Sequence, residues 1–104
     1  KPEGNVELWR EKSFEVIVGQ KLISGRFDRV VIMKNASGKP AGADIVDFKT
    51  EDIENTKQLL LAKERYKNQI NLYREALSRI LEIPEQQCRI LLVFTSVKKV
   101  ISAP

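Results

Sequence analysis

Asp28, Asp47 and Lys49 are the residues whose types and spacing could do chemistry. Asp28 interrupts the run ISGRFDRVVI (Ile23 to Ile32), which is otherwise largely apolar or β-branched, and Arg26 and Arg29 flank it. Nineteen positions later ADIVDFKT carries Asp47 in mid-run, followed two residues on by Lys49. Residues two apart on a strand project from one sheet face, about 6.6 Å apart. If the two runs are neighbouring strands, Asp28 approaches Asp47 across the sheet. Carboxylates that close repel unless a proton or a cation sits between them. Such an oxygen-rich site suits Mg²⁺ or Mn²⁺, which take one or two carboxylates and complete their shells with water and phosphate oxygens. Lys49 beside the ion could orient a water or offset charge building on a phosphate. A plainer reading stands next to this one: Asp28 pairs with Arg26 or Arg29, and Asp47 with Lys49, on a solvated sheet face. Spacing alone favours the plainer reading.

A helix farther on adds weight to the first. Leu59, Ala62, Tyr66, Ile70, Tyr73, Leu77 and Ile80 recur at three- and four-residue steps, the stripe of one long amphipathic helix. Gln69 lies at the edge of that stripe, between Tyr66 and Tyr73. It is one turn, about 6 Å along the axis, from Tyr73. Tyrosines on a helix usually pack. This helix, however, follows VDFKT directly, so its polar edge is placed to line the same cleft.

The elements that must position these groups are legible from periodicity. LWREKSFEVIVG alternates at Phe14, Val16 and Val18, and GQK turns it into the second run, giving an antiparallel hairpin. NASGKPAG is a loop, and ADIVDFKT is a third strand. The helix N-cap falls within Thr50 to Ile53, or DIENTK remains loop, and Pro84 ends the helix near Glu82. CRILLVFTS is a continuous apolar run and reads as a strand buried on both faces, with KKVISAP as a short edge strand. The order β-β-β-α-β describes an α/β (α+β) fold, a mixed sheet with a long helix on one face.

Totals bound the function. The 104 residues make one domain, large enough to bury roughly 60–70% of its unfolded surface. The composition, 42% apolar and 31% charged, is that of a globular chain rather than a disordered one. One cysteine, Cys88, allows no internal disulfide. The absence of histidine excludes a Ser-His-Asp or Cys-His triad within this chain. No apolar run approaches 18 residues, so no membrane partner is expected. The net charge of +4 mildly favours a polyanionic partner.

Taken in order, GRFDR, IVDFKT and YKNQINLYREAL resemble the motif series of RecB-like nucleases in the PD-(D/E)XK superfamily: an Asp after a glycine on one strand, a D-x-K strand, and a helix with Y-x-x-Q-x-x-x-Y. The likeness spans about Phe14 to Thr95. A lone D-x-K is almost worthless as a signal, whereas the ordered trio is specific. The closing run RILLVFTSVKKVIS also resembles the last strands of AddA-type helicase-nucleases. The resemblance implies a restriction-endonuclease-like core that hydrolyses DNA phosphodiesters with Mg²⁺ or Mn²⁺, in DNA repair or recombination. Asp28 and Asp47 would be the metal carboxylates, with the backbone carbonyl of Phe48 as a third ligand. Lys49 would be the catalytic lysine. Gln69 and Tyr73 would support the site and contact DNA, with Tyr66 an accessory aromatic, and Arg26, Arg29, Lys67 and Arg74 would be available to phosphates. Partners would be DNA and helicase domains, in the same chain or a partner subunit, in a cytoplasmic, nucleoid-associated setting.

Departures shape the expectation. Phe27 stands where the superfamily's name implies proline. The helix that usually precedes the first strand, often with a metal-binding histidine, has no counterpart here. The chain opens without Met and leads straight into a strand, as a C-terminal fragment of a longer multidomain protein would, and weak or no activity is expected of it alone. Glu15 reads as a solvated strand residue. Two other functions compete: a non-catalytic nucleic-acid-binding module, and an assembly module docking through Trp9 or the late strands.

Overall fold

The computed structural model describes residues 5–51, 53–95 and 99–103, the last stretch by its backbone course. β1 (Val6–Val18), β2 (Lys21–Lys34) and β3 (Pro40–Lys49) form an antiparallel meander, joined by a turn at Gly19 and by the 35–39 loop. Two helices, α1 (Thr56–Arg65) and α2 (Lys67–Leu81), cross over to β4 (Cys88–Phe94), which lies parallel to β3. β5 (Lys99–Ala103) returns antiparallel to β4, so the sheet order is β1-β2-β3-β4-β5. The result is the expected mixed-sheet α+β fold of restriction-endonuclease type.

One sheet face carries the core. Phe27, Val30, Ile32, Ile45, Ile90, Leu92 and Phe94 are fully buried, and Leu77 of α2 closes over them. α2 packs against β1, β2 and β4. The opposite face is covered by no helix among the described residues, and this corrects the reading of β4. Its residues alternate in burial, with Cys88, Ile90, Leu92 and Phe94 inward, Arg89 exposed, and Leu91 and Val93 only half-covered. A continuous apolar run therefore does not by itself tell a two-sided from a one-sided strand.

The helix is also not continuous. Tyr66, with φ −92° and ψ 1°, separates α1 from α2. The apolar stripe runs through the break, because Tyr66 N–H still reaches the Ala62 carbonyl and Ile70 N–H reaches that of Tyr66. The N-cap is Asn55, outside Thr50 to Ile53: its Oδ1 accepts from Gln58 N–H at 2.9 Å. The C-terminus closes as expected, with Glu82 in the left-handed region (φ 58°) just before Pro84. Trp9, paired with Val30, is half-buried against the core and donates from Nε1 to Glu7.

A fork in the sheet matters most for the site. β2 pairs with β3 only from Arg29–Val46 onward, and its first half pairs with β1 alone. At the fork the inward alternation of β2 changes phase: Ile23, Gly25 and Phe27 turn toward the helices, and then Val30 and Ile32 do, with Asp28 and Arg29 at the switch. Glu11, opposite Asp28 on β1, has φ 48°, the local twist that accommodates the change.

Candidate metal and phosphodiester site

Where β2 leaves β3, the Asp28 side chain takes over the ladder. Its Oδ2 accepts the Phe48 N–H at 2.9 Å. In an extended strand the N–H and C=O of one residue point to the same side. The Phe48 carbonyl therefore also turns toward the gap at Asp28, while the Lys49 carbonyl turns away and accepts from Thr95 N–H. Asp47 stands across the same gap, within hydrogen-bonding reach of Asp28. Burial, and after it the neighbouring Asp28 carboxyl, lifts the Asp47 pKa above the ordinary carboxylate value, and Lys49 opposes the rise. Lys49 Nζ lies 3.1 Å from Asp47 Oδ2, both side chains 14% exposed.

The helices complete the cleft. Gln69 Oε1 accepts from Lys49 Nζ at 3.3 Å, and the Tyr66 ring lies 4.0 Å from the same ammonium. Tyr66 is held in turn by its hydroxyl, which donates to Glu51, and Arg65 grips the other Glu51 oxygen. These two donors keep the Glu51 carboxyl below its usual pKa, Tyr66 contributing more. The kink between α1 and α2 thus sits at the residue that caps Lys49.

The structure brings Asp28, Asp47, Lys49, Gln69 and Tyr66 together, with the Phe48 backbone between the carboxylates. Tyr73 is placed otherwise. Its ring meets Phe14 and Phe27 edge-on at 5.4 and 5.5 Å, and its hydroxyl lies over Gly25, where a Cβ would come within 2.9 Å of it. Its contacts are those of a support for the β1–β2 hairpin. Lys67 is exposed at the start of α2. Arg74 donates from Nε to the Cys88 carbonyl, four residues along β4 from the position beside Asp47. Arg26 and Arg29 line a groove with Asp28. Glu15 is exposed, as read from the strand pattern.

The salt-bridge reading is half right: Asp47 pairs with Lys49, whereas Asp28 forms no ion pair with either arginine and binds a backbone amide. Sequence reasoning missed Glu51, which follows Lys49 at strand spacing, and Arg10, which only the β1–β2 register brings to Arg29. Cys88 is no nucleophile candidate, since burial pushes its thiol up to about 11.

The donor set fits a hard divalent cation. Two carboxylates and a carbonyl around one gap, with no cluster of three or more His, Cys, Asp or Glu among the described residues, suit Mg²⁺ or Mn²⁺ with several retained waters better than Zn²⁺. A family model described as the PD-(D/E)XK nuclease superfamily matches residues 1–103. No curated protein matches the chain significantly.

Proposed function

The chain belongs to the PD-(D/E)XK nuclease superfamily, and from that premise we propose that it hydrolyses DNA phosphodiesters at the β2–β3 fork, using Mg²⁺ or Mn²⁺. The observation that carries this is the meeting of Asp28, Asp47 and Lys49 in one gap. Two partly buried carboxylates side by side repel, and the single Lys49 ammonium does not fully offset them, since the Asp47 pKa stays raised; a bound cation would stabilise the pair. Asp28, Asp47 and the Phe48 carbonyl would hold the metal, which supplies a Lewis acid and a water of lowered pKa. Lys49 places a positive charge where the phosphate gains negative charge. Gln69 and the Tyr66 ring fix that ammonium, leaving it few rotamers to lose when substrate arrives.

The finer reading is a RecB-like exonuclease domain of a helicase-nuclease in repair or recombination, supported by the order GRFDR, IVDFKT, YKNQINLYREAL. The competing reading, a binding or assembly module, fits the intact D…D-x-K set of Asp28, Asp47 and Lys49 poorly, since a non-catalytic surface facing phosphates gains nothing from two adjacent carboxylates. The deciding experiment is cleavage of a labelled oligonucleotide with Mg²⁺, Mn²⁺ or EDTA by the protein and by Asp47→Asn. Metal-dependent cleavage, weak for this chain alone, that disappears in the variant is expected. Equal cleavage by both sinks the assignment, and metal-independent DNA binding without cleavage favours the module.

A further inference from the structure

Arg10 and Arg29 are direct cross-strand partners on β1 and β2. Like charges placed opposite each other destabilise a sheet. Arg26 lines the same groove, of about 450 Å³, together with Glu11, Asp28 and Phe48. The other cations near carboxylates are paired: Lys34 with Glu7, Lys49 with Asp47, Arg65 with Glu51, and Arg89 with Asp44. Among the described residues, Arg10, Arg26 and Arg29 enter no ion pair, even though Glu11 and Asp28 line the groove with them. The Arg29 Nε is buried without a partner, and its guanidinium lies 5.5 Å over the Phe48 ring. Phe48 is 39% exposed, an aromatic at the mouth of a cationic groove.

We propose that this groove binds a single strand of nucleic acid, its three guanidiniums holding a backbone phosphate next to the one being cut while an unstacked base rests on Phe48. The reading rests on the proposed nuclease site, which it extends along the strand. The groove reaches the Asp28 carboxylate and Phe48, so a strand lying in it passes directly into the fork. The three guanidiniums outnumber the two carboxylates, Glu11 and Asp28, that line the groove with them, even without a metal. Guanidiniums suit phosphate through paired N–H donors. Sequence-tolerant stacking on an aromatic is the usual complement in single-strand sites. Base contact through Phe48 requires an unpaired nucleotide, so duplex should bind less well than single strand.

The test is equilibrium binding of a fluorescent single-stranded oligonucleotide in EDTA, which needs no catalysis. Duplex of the same sequence and inorganic phosphate serve as competitors. Arg10→Ala and Arg26→Ala should each weaken binding and reduce the slope of log K against log salt by about 0.7 for every phosphate that goes unneutralised. Phe48→Leu should weaken single-strand binding roughly tenfold to a hundredfold. Arg79→Ala, on the exposed last turn of α2, serves as the control. As a folding control, Arg10→Ala should raise the melting temperature by up to roughly 5 °C at low salt, since it removes a like-charge pair. Weakening no greater than that of Arg79→Ala overturns the proposal. So does equal competition by duplex, or complete competition by millimolar inorganic phosphate, which would mark the groove as a free-anion site. Because binding is read without metal, failure of this proposal leaves the cleavage test of Asp47→Asn standing, and the reverse also holds.

Discussion

Replacing Asp28 by Asn or by Ala separates its two duties. As an acceptor it satisfies the Phe48 N–H where the β2–β3 ladder stops. As an anion it crowds Asp47 and faces the proposed metal position. Asn keeps the acceptor oxygen and removes the repulsion, so in EDTA at pH 7 its stability should equal or exceed that of the unaltered protein. Ala removes the partner of the Phe48 amide at an exposed position where water can replace it, at a cost of about 0.5–1.5 kcal/mol, partly offset by the relieved repulsion. Mn²⁺ should reverse the ranking. At one hundred times Kd a bound ion stabilises the native state by about 2.7 kcal/mol, roughly 10–20 °C for a domain of this size. The unaltered protein should show that shift and both variants should lack it. Thermal melts followed by circular dichroism, with EDTA and then with Mn²⁺, make the comparison. Asn as damaging as Ala in EDTA would refute the acceptor argument. A full Mn²⁺ shift in Asp28→Asn would refute the metal argument.

The raised Asp47 pKa gives a pH dependence of definite sign. The folded state holds this proton more tightly than the unfolded chain, so the group destabilises the metal-free fold fully above the raised value, and the penalty shrinks as pH falls through that value and is gone below the ordinary aspartate pKa. In EDTA, Asp47→Asn should be more stable than the unaltered protein at pH 7, with the gap closing in acid; an unchanged gap across pH-dependent urea melts contradicts this. Mn²⁺ affinity by calorimetry should begin to fall at a pH above the ordinary aspartate range, because proton and metal compete. Gly25→Ala should cost about 1–3 kcal/mol in urea denaturation, since its Cβ meets the Tyr73 hydroxyl at 2.9 Å and the Phe14 ring at 3.0 Å; a neutral result removes Gly25 as a packing constraint. Glu82→Gly should stabilise by up to about 1 kcal/mol, as glycine relieves the left-handed cap; reduced stability means the Glu82 side chain has a compensating interaction.

Most of the architecture could be read in advance because its signals are local. Alternation at Phe14, Val16 and Val18 and the turn signals at Gly19 and Gly38 need no tertiary context. What escaped depends on partners distant in sequence. The break at Tyr66 is invisible because a single-residue dislocation keeps Ala62, Tyr66 and Ile70 on one stripe, and the Glu51 carboxylate that the Tyr66 hydroxyl meets there lies fifteen residues away. The one-sided burial of β4 depends on what covers the second face, about which Leu91 and Val93 carry no information. Asp28, Asp47 and Lys49 were legible as a trio because strand spacing fixes faces. That Asp28 binds a backbone amide instead of Arg26 or Arg29 was not, since this depends on where β2 and β3 part. Tyr73 followed its helical position but lies on the aromatic side, where Phe14 and Phe27 stack at 4.4 Å.

The fork makes the proposed chemistry a readout of strand register. Asp28 belongs to the ribbon of β1 and β2, and Asp47 with Lys49 belongs to the ribbon of β3 and β4. A slip of one residue between β2 and β3 would set Phe27 or Arg29 against Asp47, and no pair of carboxylates would form. An ion that requires both oxygens therefore rewards only the correctly aligned sheet. Metal binding would act as a proofreader of folding here, stabilising the one pairing that can also do the work.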